Sequence, residues 1–231
     1  MSLSAHHFQA NRLDLLSRLA GDISHEIKNP LHAMVINLEL VRRKVEKGEP
    51  KQAIERVAIV EEEVRKVHAL ANALLESLRP PRDTSSTSAF SAVLQEVAPL
   101  LSARARCARV ELLMEAEPLS TTVPLAAHEL RLLLLNLGDR AVRVVGNGGA
   151  IGISVRGAND AVALDVACDT PPLDDTERAW LQDHPVDADH IDLGLRVVRD
   201  LVHRTGGRIT VARARDGRHA LSLTLPAATS A

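Results

Sequence analysis

Residues 24–31 read Ser24-His25-Glu26-Ile27-Lys28-Asn29-Pro30-Leu31. They lie in a pattern where Leu16, Leu19, Ile23, Ile27, Leu31, Met34, Leu38, Val41 and Val45 recur at spacings of three and four. That spacing predicts one amphipathic helix with a single buried stripe. His25 and Asn29 are four apart and share a face of it. These residue types permit phosphoryl transfer through histidine. Neutral imidazole is nucleophilic at one nitrogen when the other carries the proton. A carboxylate that accepts the Nδ1 proton fixes that tautomer and raises the basicity of Nε2. Glu26 is placed for that task, and Asn29 can orient a water toward a phosphoryl group on a partner. Pro30 lacks a backbone N–H and crowds the carbonyl of Glu26, which predicts a local bend or loosened turn. Lys28 adds a cation near an incoming anion. His32 reads as a surface residue.

The rest of the first third reads as a hairpin. The first helix is expected over 8–47, and Gly48 and Pro50 end it. The second is expected over 51–78, with Ile54, Val57, Val60 (or Ile59), Val64, Val67, Ala71, Leu74 and Leu78 as its buried stripe. Two helices cannot cover a stripe on each arm, whereas two copies can, as a four-helix bundle. A homodimer is therefore expected. The alternative is a hairpin packed on its own C-terminal domain.

Composition bounds the rest. The net charge of −2, with 25% charged residues over 231 positions, gives no electrostatic case for nucleic acid. Cys107 and Cys168 lack metal-ligand spacing and suit a reducing compartment. No run approaches the ~20 apolar residues that span a bilayer, and the start lacks the pattern of a signal peptide. A cytoplasmic protein without a membrane span is expected. With 1% aromatic residues and no tyrosine, the cores must be aliphatic. No sensor region is identifiable, so input is expected from another protein or the short N-terminus.

After a polar linker at 80–88, helix and strand alternate. Helices are expected over 90–104, 125–144, 173–182 and 193–204. A strand is expected over 109–115, and hairpins over 150–166 and 208–225. The glycines at 146, 148 and 149 mark a tight turn. This order predicts a two-layer α/β sandwich. The fold class is α+β, with domains at 1–79 and 89–226 around the linker.

The string His-Glu-Ile-Lys-Asn-Pro-Leu closely resembles the phosphoacceptor box of two-component sensor histidine kinases, in the subfamily with His-Glu-x-x-Asn-Pro. The C-terminal elements resemble the same family's ATP-binding domain, of the GHKL type (gyrase, Hsp90, kinase, MutL). Residues 130–145, with Asn136, resemble the asparagine box. Val166-Ala167-Cys168-Asp169-Thr170 resembles the first glycine box. Residues 193–198 and 203–209, with Gly194, resemble the second glycine box and the hairpin after it. The resemblance spans residues 10–225.

The departures fall where the family holds nucleotide. A second asparagine four after the first ligates Mg²⁺ in the family, and here that position is Arg140. A guanidinium has no lone pair for a metal. Asp139, one residue away, is rotated by about 100° on a helix and does not simply substitute. Arg140 or Arg143 can instead meet phosphate oxygens directly. The family's Asp-x-Gly-x-Gly becomes Asp169-Thr170-Pro171-Pro172-Leu173, which keeps the aspartate that reads adenine but has no glycine. In the second glycine box Asp192 stands for the first glycine, suited to cap the helix itself. Two like charges about 4 Å apart repel by roughly 4 kcal/mol at an effective dielectric near 20.

The resemblance thus implies a two-component signalling protein whose His25 passes phosphoryl groups to or from receiver aspartates. Glu26 and Asn29 assist. Asn136, Arg143, Asp169 and Gly194 are remnants of an ATP site. The implied partners are a response-regulator receiver domain, a second copy and an upstream kinase. No cofactor or metal is expected unless the alternative holds, an ATP-dependent autokinase. A second alternative is a non-catalytic pseudokinase scaffold.

Overall fold

The computed structural model describes residues 3–79, 86–117, 120–158, 160–171, 173–181, 190–213 and 217–228. Helix α1 (Ala5–Glu46) and helix α2 (Pro50–Leu78) form an antiparallel hairpin. Gly48, at φ 72°, makes the turn, and Pro50 opens α2, where its missing N–H is no loss. α1 continues as helix through Pro30, which is buried. The expected linker falls mostly on 80–85, outside the described residues.

The rest of the described chain is α+β. A five-stranded mixed sheet has the order β2 (Glu111–Ala116), β4 (Ala150–Ala158), β5 (Ala161–Cys168), β7 (His219–Pro226) and β6 (Arg208–Arg213). β2 pairs parallel to β4, and the other neighbours are antiparallel. Along the central strands Ile151, Ile153, Val155, Val162, Leu164, Val166, Leu221, Leu223 and Leu225 are buried. The alternate positions, such as Ser154, Asp165 and Ser222, are less buried, the two-residue period of a strand covered on one face. That cover is α3 (Phe90–Cys107), α4 (Ala127–Val145) and α6 (Leu193–Arg204). Gly138 lets α3 approach α4, because a Cβ there would stand 2.3 Å from Leu101 Cδ2. The short helix α5 (Asp175–Leu181) carries buried Trp180, whose ring receives the Arg199 guanidinium at 4.2 Å.

Two short strands, β1 (Ser88–Ala89) and β3 (Thr122–Val123), pair antiparallel and were not expected. Two-residue strands carry no alternation to read. The expected strand at 109 begins at Glu111, because Arg109 has φ 54° and turns the chain.

The expected stripes need correcting. Leu16, Leu19 and Ile23 are buried, but Leu31, Leu38 and Val45 are about half exposed or more. On α2, Ile54, Val57, Ile59, Val64 and Leu78 are also exposed, and the fully buried positions are Ala53, Leu70, Ala73 and Ser77. A two-helix hairpin covers only the seam between its arms. The part near the C-terminal domain gains a second cover, and the part near the turn does not.

Candidate functional site

α1 presents His25 and Asn29 to solvent. Both side chains sit in the docked half of the helix, where Leu15, Leu19 and Ile23 face the core and the opposite face stays open. Glu26 does not act as expected in this arrangement. Its carboxylate Oε2 accepts from Arg106 Nε at 2.6 Å, and its Oε1 lies 3.9 Å from Cys107 Sγ. No hydrogen bond joins it to the imidazole among the described residues. The guanidinium outcompetes the ring because it brings a full charge and a directed donor. Cys107 is half-buried, and its thiol also meets the carbonyl of Asp22 at 3.5 Å. Burial, with Asp22 and Glu26 nearby, pushes the Cys107 thiol above the usual thiol range.

A ladder of polar contacts fixes the first half of α1 to the C-terminal domain. Asp200 of α6 accepts from the backbone N–H of Leu3 at 3.1 Å. Asn11 and Asn136 exchange amide hydrogen bonds of 3.0 and 2.8 Å, and both are buried. Asp139, 1% exposed, is held by Arg18 of α1 at 3.3 Å, Arg104 of α3 at 2.9 Å and Arg143 at 3.1 Å. Arg104 also reaches Asp22 at 3.2 Å. The Arg106–Glu26 pair is the last rung.

The remaining sequence-derived residues have internal partners. Arg140 is buried and pairs with Glu177 of α5, whose backbone N–H and carboxylate exchange bonds with Asp174. Arg143 reaches Asp192 at 3.4 Å. Asp192 caps α6 by accepting from Leu195 N at 3.1 Å. Gly194 is buried against Asn136, whose Oδ1 would stand 2.5 Å from a Cβ there. Asp169 is exposed and accepts from Ala150 N at 2.8 Å. The structure thus brings Asn136, Arg143, Asp192 and Gly194 together, with Asp169 engaged at the start of β4.

The His Kinase A (phospho-acceptor) domain family matches residues 15–80. The sensor histidine kinase ZraS of Klebsiella oxytoca is 27% identical over 214 residues, covering 91% of this chain and 46% of the relative. The C4-dicarboxylate transport sensor protein DctB of Rhizobium meliloti (strain 1021) is 25% identical, covering 88% of this chain and 33% of the relative. The catalytic domain of histidine kinase ThkA, nucleotide free, superposes with a TM-score of 0.51 at 19% identity, over 61% of this chain and 93% of that one. Full-length ShkA in complex with AMPPNP gives a TM-score of 0.51 at 25% identity, over 93% of this chain and 46% of that one. Residues 15–80 thus match the phospho-acceptor domain of histidine kinases, and the chain along most of its length is similar to two-component sensor histidine kinases. It spans less than half the length of these curated relatives. No helix among the described residues is long and apolar enough to cross a membrane.

Kinases of this family imply a magnesium nucleotide, and the side chains here do not suit one. The position of the metal-ligating asparagine holds a buried guanidinium satisfied by Glu177. The N-terminus of α6, where free N–H groups would meet phosphate, is capped by its own carboxylate. Neither Arg140 nor Arg143 is held ready for phosphate, since each already pairs with a carboxylate.

Sequence reasoning missed Asn11, Arg18, Asp22, Arg104 and Arg106. A signal was present. Asn11, Arg18, Asp22 and Glu26 recur at spacings of seven, four and four, so a polar line runs beside the apolar one on α1. What it faces was not readable, because Asp139 was set aside as no substitute for the metal ligand and nothing in the sequence marks it as a hub for three arginines.

Proposed function

We propose that this kinase-family chain relays phosphoryl groups through His25 between receiver aspartates of response regulators. The observation that carries the reading is the pairing of an open imidazole on α1 with a nucleotide-side cleft whose polar groups are engaged by the chain itself. Nε2 attacks the phosphorus of a receiver's aspartyl phosphate. The N–P bond forms as the O–P bond breaks, and the aspartate leaves as carboxylate. A second receiver aspartate takes the group by the reverse step. Glu26, once free of Arg106, accepts the Nδ1 proton's hydrogen bond and keeps Nε2 basic. Asn29, one turn on, orients a water for hydrolysis of receiver phosphate.

In this reading residues 1–79 are the dimerisation and phosphoacceptor unit, 80–88 a linker, and 89–226 a GHKL domain that grips the receiver. The bare apolar residues near the hairpin turn on both arms support a second copy as partner: Leu31, Val35, Ile36, Leu38 and Val45 face outward with Ile54, Val57, Ile59 and Val64. The chain acts in the cytoplasm, where receivers are found.

The test mixes the purified chain with a phosphorylated receiver, with and without ATP. Label on His25 without nucleotide is expected, and none in His25→Ala. The second reading, an ATP-dependent autokinase, is favoured by the intact His-Glu-Ile-Lys-Asn-Pro string. Micromolar binding of Mg-ATP by calorimetry, with label appearing only when ATP is present, would establish it instead. Signalling unchanged in His25→Ala would leave only the scaffold.

A further inference from the structure

We propose that His25, Glu26 and Cys107 form a binding site for a thiophilic divalent cation, zinc above all, between α1 and α3. Binding itself needs nothing from the relay reading; only its consequence for phosphoryl transfer rests on that reading.

The three residues each offer one ligand atom, an imidazole nitrogen, a carboxylate oxygen and a sulfur. These atoms all lie within 4.8 Å of one another. Zinc sites are tetrahedral with bonds of about 2.0–2.3 Å, so neighbouring ligand atoms stand roughly 3.3–3.8 Å apart. Closing that gap takes about 1 Å of movement. His25 is exposed and free to rotate, and Cys107 and Glu26 already touch. The donors come from two elements that the fold brings together, since Glu26 and Cys107 are 81 positions apart.

The donor set also selects the ion. Magnesium and calcium demand oxygen ligands, whereas sulfur with imidazole nitrogen suits zinc and its neighbours. The obstacle is Arg106, which holds Glu26. Its side chain is 57% exposed, so it can leave the carboxylate for water. The other nearby cation, Arg104, is neutralised by Asp22 and Asp139. On binding, the thiol proton goes to solvent and the S–metal bond forms. Three protein ligands leave a fourth position for water.

Metal here takes the lone pair of the phosphoacceptor ring and the carboxylate that would tune it. It also ties α1 to α3. Zinc therefore switches off phosphoryl acceptance.

The experiment titrates the untagged full chain with cobalt(II) and records its absorption. A near-ultraviolet thiolate-to-cobalt band and strong visible bands of a tetrahedral site are expected. Cys168, the other cysteine, is fully buried and cannot contribute. Cys107→Ser should abolish the thiolate band while circular dichroism is unchanged, with Cys107→Ala as the alternative should serine disturb folding. His25→Ala should weaken cobalt affinity by at least about 10-fold. Zinc should then block labelling of His25 by a phosphorylated receiver in the native chain and leave the Cys107 variant at its basal rate. Absence of the thiolate band, or an equal band in the Cys107 variant, overturns the site. Equal zinc inhibition of both proteins overturns its effect on transfer. A band without any labelling in zinc-free protein would leave the site standing and sink the relay instead.

Discussion

The two halves of α1 carry the same apolar period and meet opposite fates. Before Pro30, Leu15, Leu19 and Ile23 are buried, and Asn11, Arg18, Asp22 and Glu26 each bond to a residue of the C-terminal domain. After Pro30, Val35, Leu38 and Val45 are exposed, and the charges pair along the helix or across the hairpin turn, Glu39 with Arg42 and Arg43 at 3.4 and 3.2 Å and Lys44 with Glu49 at 2.6 Å. The period of the stripe says that something must cover it. The polar residues beside the stripe say what does. Where they find partners in the same chain, the cover is internal. Where they pair only within the hairpin, the cover must come from outside.

The sharpest break of the docked half is Asp139→Ala. It leaves three guanidiniums facing one another at a buried position, a change that costs about 3–5 kcal/mol. Urea denaturation of the native and variant chains reads the loss directly. A loss under about 1 kcal/mol, the range of surface ion pairs, would mean the ladder does not hold the domains together.

The open half is broken by Leu38→Glu. Full burial of a leucine is worth about 1.5–3 kcal/mol, and a carboxylate on the same apolar face reverses it in both copies of a dimer. Sedimentation should show the native chain as a dimer and the variant as a monomer, with far-ultraviolet circular dichroism unchanged. A native chain that sediments as a monomer at high concentration would remove the second copy from the account.

Much of this contrast was legible in advance. Periodicity placed the six helices seen among the described residues and most of the sheet, because amphipathic helices and alternating strands announce themselves locally. α6 was expected over 193–204 and is found there, with Asp192 as its cap. β1 and β3 were not legible, since two residues hold no pattern. Nor could the period of α1 show where cover stops, because burial is a property of what packs against a stripe. The site divides the same way. The His25 string is local and readable. The partners of Glu26 and Asn136 lie 80 and 125 positions away, a distance that no local pattern crosses.

Asn11→Ala probes the buried amide pair alone. It strands Asn136, whose second acceptor route is lost, for about 1–3 kcal/mol. The double variant with Asn136→Ala should lose less than the two single losses summed, since the second change removes the stranded group. Additive losses would show that the two amides do not depend on each other.

Arg106→Ala should have the smallest effect on stability, about 0–1 kcal/mol, because the pair it removes is solvent-exposed on the arginine side. Its functional effect runs the other way. With the guanidinium gone, the Glu26 carboxylate has no cation to face and can accept from His25 Nδ1–H, which raises the basicity of Nε2. Labelling of His25 from a phosphorylated receiver should therefore speed up in this variant while the urea midpoint barely moves. A slower rate would assign Arg106 to the incoming phosphoryl group. The last rung of the ladder would then belong to the reaction and not to the docked state, and the boundary between the two halves of α1 would sit before Glu26 instead of at Pro30.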